Sequence, residues 1–318
     1  MHVLITGAAG FVGQALVARL LDGALPGLDR LTLLDLGFPA PATDARVVQL
    51  AGSITDAAPI AAAFATPVDL VFHLASVPGG AAERDPLLGR QVNLDATVAL
   101  IDAARLQAAT RPAPVFVFAS TIAVLGAPLP AQGVDDATPC RPRLSYGAHK
   151  LACEILIADA TRRGWIDGRS LRLAGIVARP AGPSGLLSAF MSDLIRELAA
   201  GRPFACPIPA DCQAWLMSVP CTVDNLLHAA TADGALLGEP RVCTLPALHL
   251  SFGALAGAVG TAFGVAVDRL VSWGSDPALE ANFGRYPPLA TPLAEAAGFR
   301  HDGDACRLVL AALGQARG

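Results

Sequence analysis

Only two tyrosines occur in the 318 residues, and one of them, Tyr146 in 145-SYGAHK-150, lies four positions before Lys150. On a helix that spacing puts both side chains on one face. A phenol in water ionises near pH 10 and cannot take up a proton at neutral pH. Lowering it to about 7 requires roughly three units, or about 4 kcal/mol of extra stabilisation of the phenolate, and an ammonium one turn away supplies much of that. The pair therefore has the makings of a general base. A neighbouring hydroxyl would complete a proton relay, and 119-ASTIAVLG-126 offers Ser120 and Thr121 at the end of an apolar run.

A second cluster lies at the N-terminus. The run VLIT at 3–6 passes straight into 7-GAAGFVG-13, with Gly7, Gly10 and Gly13 in the turn and Phe11 and Val12 opening an apolar helix. Glycines there let the backbone approach a pyrophosphate, and the helix N-terminus supplies N–H groups and the positive end of its dipole. Asp35 closes the next strand-like run, 22 residues past Gly13. A carboxylate at that point accepts hydrogen bonds from the adenosine ribose hydroxyls. Leu36 and Gly37 follow, with no cation to meet a 2′-phosphate, which favours NAD over NADP. The positive nicotinamide ring of NAD+ would add to the effect of Lys150 on the phenol.

These residues need a scaffold that brings strand ends together. Continuous apolar runs at 3–6, 31–35, 47–50, 70–74 and 115–119 predict strands buried on both faces, and helical patterns at 11–22, 57–64, 91–109 and 146–163 fall between them. Repeated βα units of this kind predict an α/β fold, a Rossmann doubly wound parallel sheet, with ligands at the carboxyl edge of the strands. The alternation decays after 170–180. The expected organisation is an NAD-binding domain over 1–177, with VCTLP (242–246) as a strand within a segment near 220–248 that returns to the main sheet. A smaller substrate-binding lobe is expected over 178–219 and 249–318.

Composition narrows the alternatives. Hydrophobic residues make up 53%, charged residues 16% and the net charge is −4 without a basic run, which excludes disorder and a nucleic-acid footprint. Seven scattered cysteines without a C-x-x-C pair argue for reduced thiols and against a metal site. With no leader-like pattern before HVLIT, the expected compartment is the cytoplasm. The uncharged stretch 251-SFGALAGAVGTAFGVAV-267 carries two G-x-x-x-G spacings, yet it is rich in Ala and Gly and stops at Asp268-Arg269. It is read as a buried helix capped by Ser251, not as a membrane span.

Taken together, Gly7-x-x-Gly10-x-x-Gly13, Asp35, 73-HLAS-76, Asn93 in 92-VNLDAT-97, Thr121 and Tyr146-x-x-x-Lys150 resemble the extended short-chain dehydrogenase/reductases over essentially the whole chain. The separation of 25 residues between Thr121 and Tyr146 also matches that family. The resemblance implies that Tyr146 is the base, that Lys150 lowers its pKa and binds the nicotinamide ribose, and that Thr121 hydrogen-bonds the substrate hydroxyl. It also implies that Leu74, Ala75 and Ser76 line the dinucleotide, that Asn93 supports the site, and that Leu173 and Ile176 pass beside the nicotinamide. The G-D pair that commonly flanks adenine is here Gly52-Ser53, so Ser53 and Ile54 are the candidates for that contact. Helices near 91–109 and 146–163 form the homodimer bundle in many relatives, and Leu94, Val98, Ile101, Leu151, Ile155 and Leu156 are compatible with one here.

Further similarities, in Pro128-Leu129-Pro130, RRGWIDGRSLRL (162–173), SAF (188–190), CPIP (206–209), AWLMS (214–218) and VDNLLHA (223–229), point to the branch acting on free sugar acids. That branch implies NAD-dependent oxidation of a secondary hydroxyl, with D-erythronate going to its 2-keto acid. An anionic substrate needs a cation, and Arg179 is the candidate, with Ser76, Ser188 and Trp215 as pocket walls. The alternative is a nucleotide-sugar epimerase or dehydratase with the same triad. Such relatives carry N-x-Y/F-G-P after the sixth strand, where this chain reads LAGIVARP (173–180).

Overall fold

The computed structural model describes residues 1–182 and 187–315. The chain forms two compact units. One comprises Met1–Val124, Pro142–Arg172 and Val223–Cys243; the other comprises Leu125–Arg141, Leu173–Thr222 and Thr244 onward.

The first unit is built on strands β1 (His2–Thr6), β2 (Arg30–Asp35), β3 (Val47–Ala51), β4 (Leu70–His73), β5 (Val115–Thr121) and β6 (Asp167–Leu173), with Val242–Thr244 at one edge. The sheet order is Val242–Thr244, β6, β5, β4, β1, β2, β3, and the pairings from β3 to β5 are parallel. The order reverses between β1 and β4, where Val3 pairs with Leu70 and Ile5 with Phe72. In open α/β sheets the ligand crevice lies outside the strand ends at that reversal. β1 and β4 are buried along their whole length, as strands covered on both faces must be.

Helices α1 (Phe11–Leu21), α2 (Ala57–Ala63), α3 (Gly79–Arg84), α4 (Pro86–Arg90), α5 (Ala96–Ala108) and α6 (Ser145–Arg162) flank the sheet. Leu4, Leu34, Val71, Phe116 and Phe118 from strands pack with Ile60, Leu100, Ala104 and Ile157 from helices. Of the residues expected on a dimer face, Ile101 belongs to this core, while Val98, Ile155 and Leu156 are exposed. The inner stripe of α6 contains Gly147, Lys150, Cys153, Glu154, Ile157 and Ala160. Two charges on a buried stripe must be compensated locally, which singles out this helix before any function is considered.

The second unit contains a three-stranded sheet, ordered Leu248–Ser251, Gln213–Ser218, Gly175–Val177, and a parallel pair formed by Phe204–Cys206 and Val271–Trp273. The glycine-rich stretch at 252–263 is a helix packed against Ala189–Ala199 and Ala305–Ala312. Ser251 caps it by accepting from the Ala254 amide at 3.0 Å, and Gly264 ends it in the left-handed region at φ 69°. Gly253 is needed for a close approach, because a Cβ there would stand 3.2 Å from the Ala210 carbonyl oxygen. Among the described residues no helix is long and apolar enough to cross a membrane.

Candidate active site

The glycine turn leaves β1 at Gly7, whose φ of +72° disfavours any side chain. A Cβ at Gly7 would also lie 2.6 Å from the Ala75 nitrogen and 2.9 Å from the Leu74 carbonyl carbon, so the turn and the loop after β4 touch backbone to backbone. A Cβ at Gly13 would run into the Gly7 carbonyl oxygen. α1 then opens at Gly10 without a side-chain cap and without an acid in its first turn. Asp35 braces the turn: one carboxylate oxygen accepts from the Ala9 amide at 2.8 Å and the other from the Leu36 amide at 2.7 Å. Each oxygen retains acceptor capacity for a ribose hydroxyl. Leu36 beside it is 78% exposed and carries no charge toward a 2′-phosphate.

Ser53 accepts from the Thr55 amide at 3.2 Å and pairs with its hydroxyl at 2.8 Å, whereas Ile54 is buried in the core. After β4, Leu74 and Ala75 are half-buried and Ser76 is exposed. Asn93, in the π-helical turn that leads into α5, grips this loop through both ends of its amide. It accepts from Val77 N–H at 2.8 Å and donates to Val77 O at 2.9 Å. The Asn93 carbonyl accepts in turn from the Cys153 thiol at 3.1 Å, one turn beyond Lys150 on α6. The glycine turn, the loop after β4 and α6 are thereby joined by one contiguous series of contacts.

α6 starts where Glu83 of α3 accepts from the Ser145 amide, placing a carboxylate at its positive end. Gly147 lies between Tyr146 and Lys150. A Cβ there would collide with the Ala123 carbonyl, two residues past Thr121, so only glycine lets the first turn of α6 press on the exit of β5. That approach carries Tyr146 and Lys150 to the end of the strand. Lys150 is 1% exposed, its Nζ donates to Ala119 O at 2.8 Å, and it lies 4.5 Å from the Phe118 ring centroid and 5.8 Å from that of Tyr146. Burial pulls this ammonium down to about 8, and the Glu154 carboxylate opposes that fall. Thr121, the last residue of β5, accepts from the Ala123 amide at 3.1 Å, which orients its hydroxyl.

Ser120 points the other way and donates to the Glu154 carboxylate, which also holds Arg172 of β6 in a two-pronged ion pair, at 3.0 Å from Nε and 2.8 Å from Nη2. This buried group ties the ends of β5 and β6 to α6 behind Lys150.

His73, at the end of β4, has no exposed surface. Burial, with the Lys150 charge as a second cause, pushes its imidazole down to about 3. The folded protein therefore refuses a proton that the unfolded chain accepts below about 6.5, so stability is lost as pH falls from 6.5 toward 3. The full loss is about 5 kcal/mol. Urea midpoints measured from pH 7 to 4 should fall steeply in the wild type, with that component missing from a His73→Asn variant. Equal slopes in the two proteins would show that this imidazole is not the group refusing the proton.

A model of the NAD dependent epimerase/dehydratase family matches residues 3–216. The chain belongs to that family. Members similar to it include D-erythronate dehydrogenase from Cupriavidus necator, 39% identical over 294 residues and 90% of each chain. D-erythronate dehydrogenase from Haemophilus influenzae is 33% identical over 79% of each chain. Among solved structures, a nucleoside-diphosphate-sugar epimerase from Agrobacterium tumefaciens superposes with a TM-score of 0.90 at 32% identity, covering 97% of this chain and 92% of that one. The protein is thus an extended short-chain dehydrogenase/reductase and an NAD-dependent oxidoreductase.

Other candidate residues of this epimerase/dehydratase family member fall in the second unit or at its boundary. Leu173 closes β6 and Ile176 is in the strand Gly175–Val177, both buried. Arg179 follows that strand, with its amide donating to Ser192 Oγ at 3.0 Å and its carbonyl accepting from Arg196. Ser188 precedes the helix Ala189–Ala199. Trp215 is 1% exposed and its indole N–H donates to Pro287 O at 2.7 Å, so its hydrogen-bonding capacity is used within the unit. Its ring packs against Tyr286, whose phenol burial pushes up to about 12. That direction is wrong for a base, which leaves Tyr146 as the tyrosine suited to one.

Proposed function

We propose that this protein oxidises a secondary hydroxyl of a small free sugar acid with NAD+, D-erythronate to its 2-keto acid being the preferred reaction. The observation that carries the reading is the buried Lys150 ammonium, fixed on Ala119 O and 5.8 Å from the Tyr146 ring, in the unit that also holds the glycine turn. The turn fits the coenzyme: its backbone is left bare by glycines, its helix opens with no side-chain cap on its amides, and Asp35 stands where a ribose is expected.

When bound, the dinucleotide accepts the hydride from the carbinol carbon at its nicotinamide ring. The remaining work falls to side chains. The Tyr146 phenolate takes the hydroxyl proton as the carbonyl forms, and Lys150 stabilises that phenolate before the step and holds the nicotinamide ribose. The Thr121 hydroxyl orients the substrate oxygen. Gly7, Gly10, Phe11, Val12 and Gly13 receive the pyrophosphate, and Leu74, Ala75 and Ser76 flank it. Arg179 is the candidate cation for the substrate carboxylate.

The two D-erythronate dehydrogenases support this reading, at 39% and 33% identity over most of the chain. The Agrobacterium structure, a nucleoside-diphosphate-sugar epimerase, supports the rival. A panel of C4 to C6 aldonates and uronates with NAD+ and NADP+ separates them. NADH formation from a free acid, strongest with D-erythronate, is expected. Conversion of nucleotide sugars without net NADH would establish the epimerase instead.

A further inference from the structure

We propose that His73 is a positioning residue for the dinucleotide: a neutral imidazole, with its proton on Nε2, that joins the mouth of the glycine turn to Thr97 and Asn93 and so fixes the loop Leu74–Val77 against that turn. The inference rests on the reading of the protein as NAD-binding and adds a residue to which no role in the reaction has been given above.

One tautomer gives every group in the series a partner. The Thr97 hydroxyl donates to the Asn93 backbone carbonyl at 3.1 Å, and a carbonyl can only accept. With its one proton placed there, Thr97 Oγ1 accepts from His73 Nε2, 2.9 Å away. In a neutral ring Nδ1 is then the acceptor, and the Thr6 hydroxyl donates to it at 2.6 Å. Thr6 Oγ1 in turn receives the Ala75 amide at 3.4 Å. The series therefore runs in one direction, from Ala75 N–H through Thr6, His73 and Thr97 to Asn93.

Its two ends hold the same short loop. Ala75 hangs from Thr6, the residue just before Gly7, and Val77 hangs from Asn93 by two hydrogen bonds. Gly7 admits no atom between itself and the backbone of Leu74 and Ala75. A shift of this loop therefore moves the wall of the turn that receives the pyrophosphate. His73 suits the task because an imidazole carries a donor and an acceptor on opposite edges of a rigid ring. It also packs on Phe118, 5.6 Å between centroids, the ring that Lys150 also overlies.

Calorimetric titration with NAD+ tests this, with near-UV circular dichroism to verify folding. His73→Phe keeps a flat ring and removes both polar edges; its NAD+ affinity should fall about tenfold, the effect of losing two net hydrogen bonds. Thr97→Val, on α5 and remote from the turn, should lose roughly threefold or more for the same reason. KM for NAD+ should rise further than kcat falls, and His73→Asn, which restores a donor and an acceptor, should recover part of the affinity. Nitrogen-15 NMR of the wild type should show Nε2 protonated and Nδ1 bare. Affinity within twofold of wild type in both His73→Phe and Thr97→Val, or a proton on Nδ1, would overturn the assignment. Should His73→Phe fail to fold, Thr97→Val and the NMR measurement decide. A wild-type protein that binds no NAD+ would instead remove the functional reading itself.

Discussion

Replacing Tyr146 by phenylalanine should lower kcat by about 10^2- to 10^4-fold, the range that positioned general acid–base groups contribute, while NAD+ binding stays within about twofold. The substitution removes one oxygen and keeps the ring that lies 5.8 Å from Lys150. The dinucleotide contacts proposed for the backbone at Gly7–Gly13 and for Asp35 are untouched. Tyr286, the other tyrosine, is ill suited to take over, because burial holds its phenol up at about 12. Steady-state NADH formation and calorimetric NAD+ binding on the same preparation give both numbers. Turnover within tenfold of wild type would mean that a different group accepts the proton.

Lys150→Met carries the second large effect and makes opposite demands on activity and stability. Without the ammonium the phenol returns toward 10, leaving roughly one molecule in 10^3 ionised at pH 7, so kcat/KM should fall by about that factor and recover as pH rises. Stability should not follow. The folded-state pKa of about 8 lies below the ordinary lysine value, so between about 8 and 10.5 the unfolded chain binds more protons than the folded one. Wild-type stability therefore rises with pH through that window, and below it burial of the charge costs about 3 kcal/mol. Methionine removes that cost but leaves the Ala119 carbonyl without its donor, about 1–3 kcal/mol in the other direction. Urea unfolding should find the variant nearly as stable as wild type at pH 7, without the rise toward pH 10. A large loss of stability at pH 7 would show that Lys150 is mainly a structural tie.

The sheet and its nucleotide end could be read from the sequence because their signals are local. Strands buried on both faces leave continuous apolar runs, and β1, β2, β3, β4 and β5 fall within a residue or two of those at 3–6, 31–35, 47–50, 70–74 and 115–119. The glycine turn and the Tyr146–Lys150 pair depend on spacings of three and four. What escaped notice is long-range. Glu83 caps α6 across 62 residues, Ser120 meets Glu154 across 34, and Thr6 meets His73 across 67, and no periodicity reports such partners. Gly147 has no local signal either, since what requires glycine there is the Ala123 carbonyl, 24 residues earlier in the chain. His73 stood inside a recognised motif, yet only the direction of four hydrogen bonds gives it a task. Ile54, expected near adenine, lies in the core, where its apolar side chain packs with Ile60 and Val71. In the second unit, strands as short as Gly175–Val177 and Phe204–Cys206 carry too few residues for any pattern to emerge.

The central claim is that one phenol in this protein ionises near neutrality because a buried cation sits beside it. Ultraviolet difference titration of the NAD+-bound protein measures that directly, since only two tyrosines contribute. The account predicts a single tyrosinate appearing at about pH 7, absent from Tyr146→Phe, with the second not ionising until about 12. A wild-type protein in which no tyrosinate forms below pH 10 would contradict it.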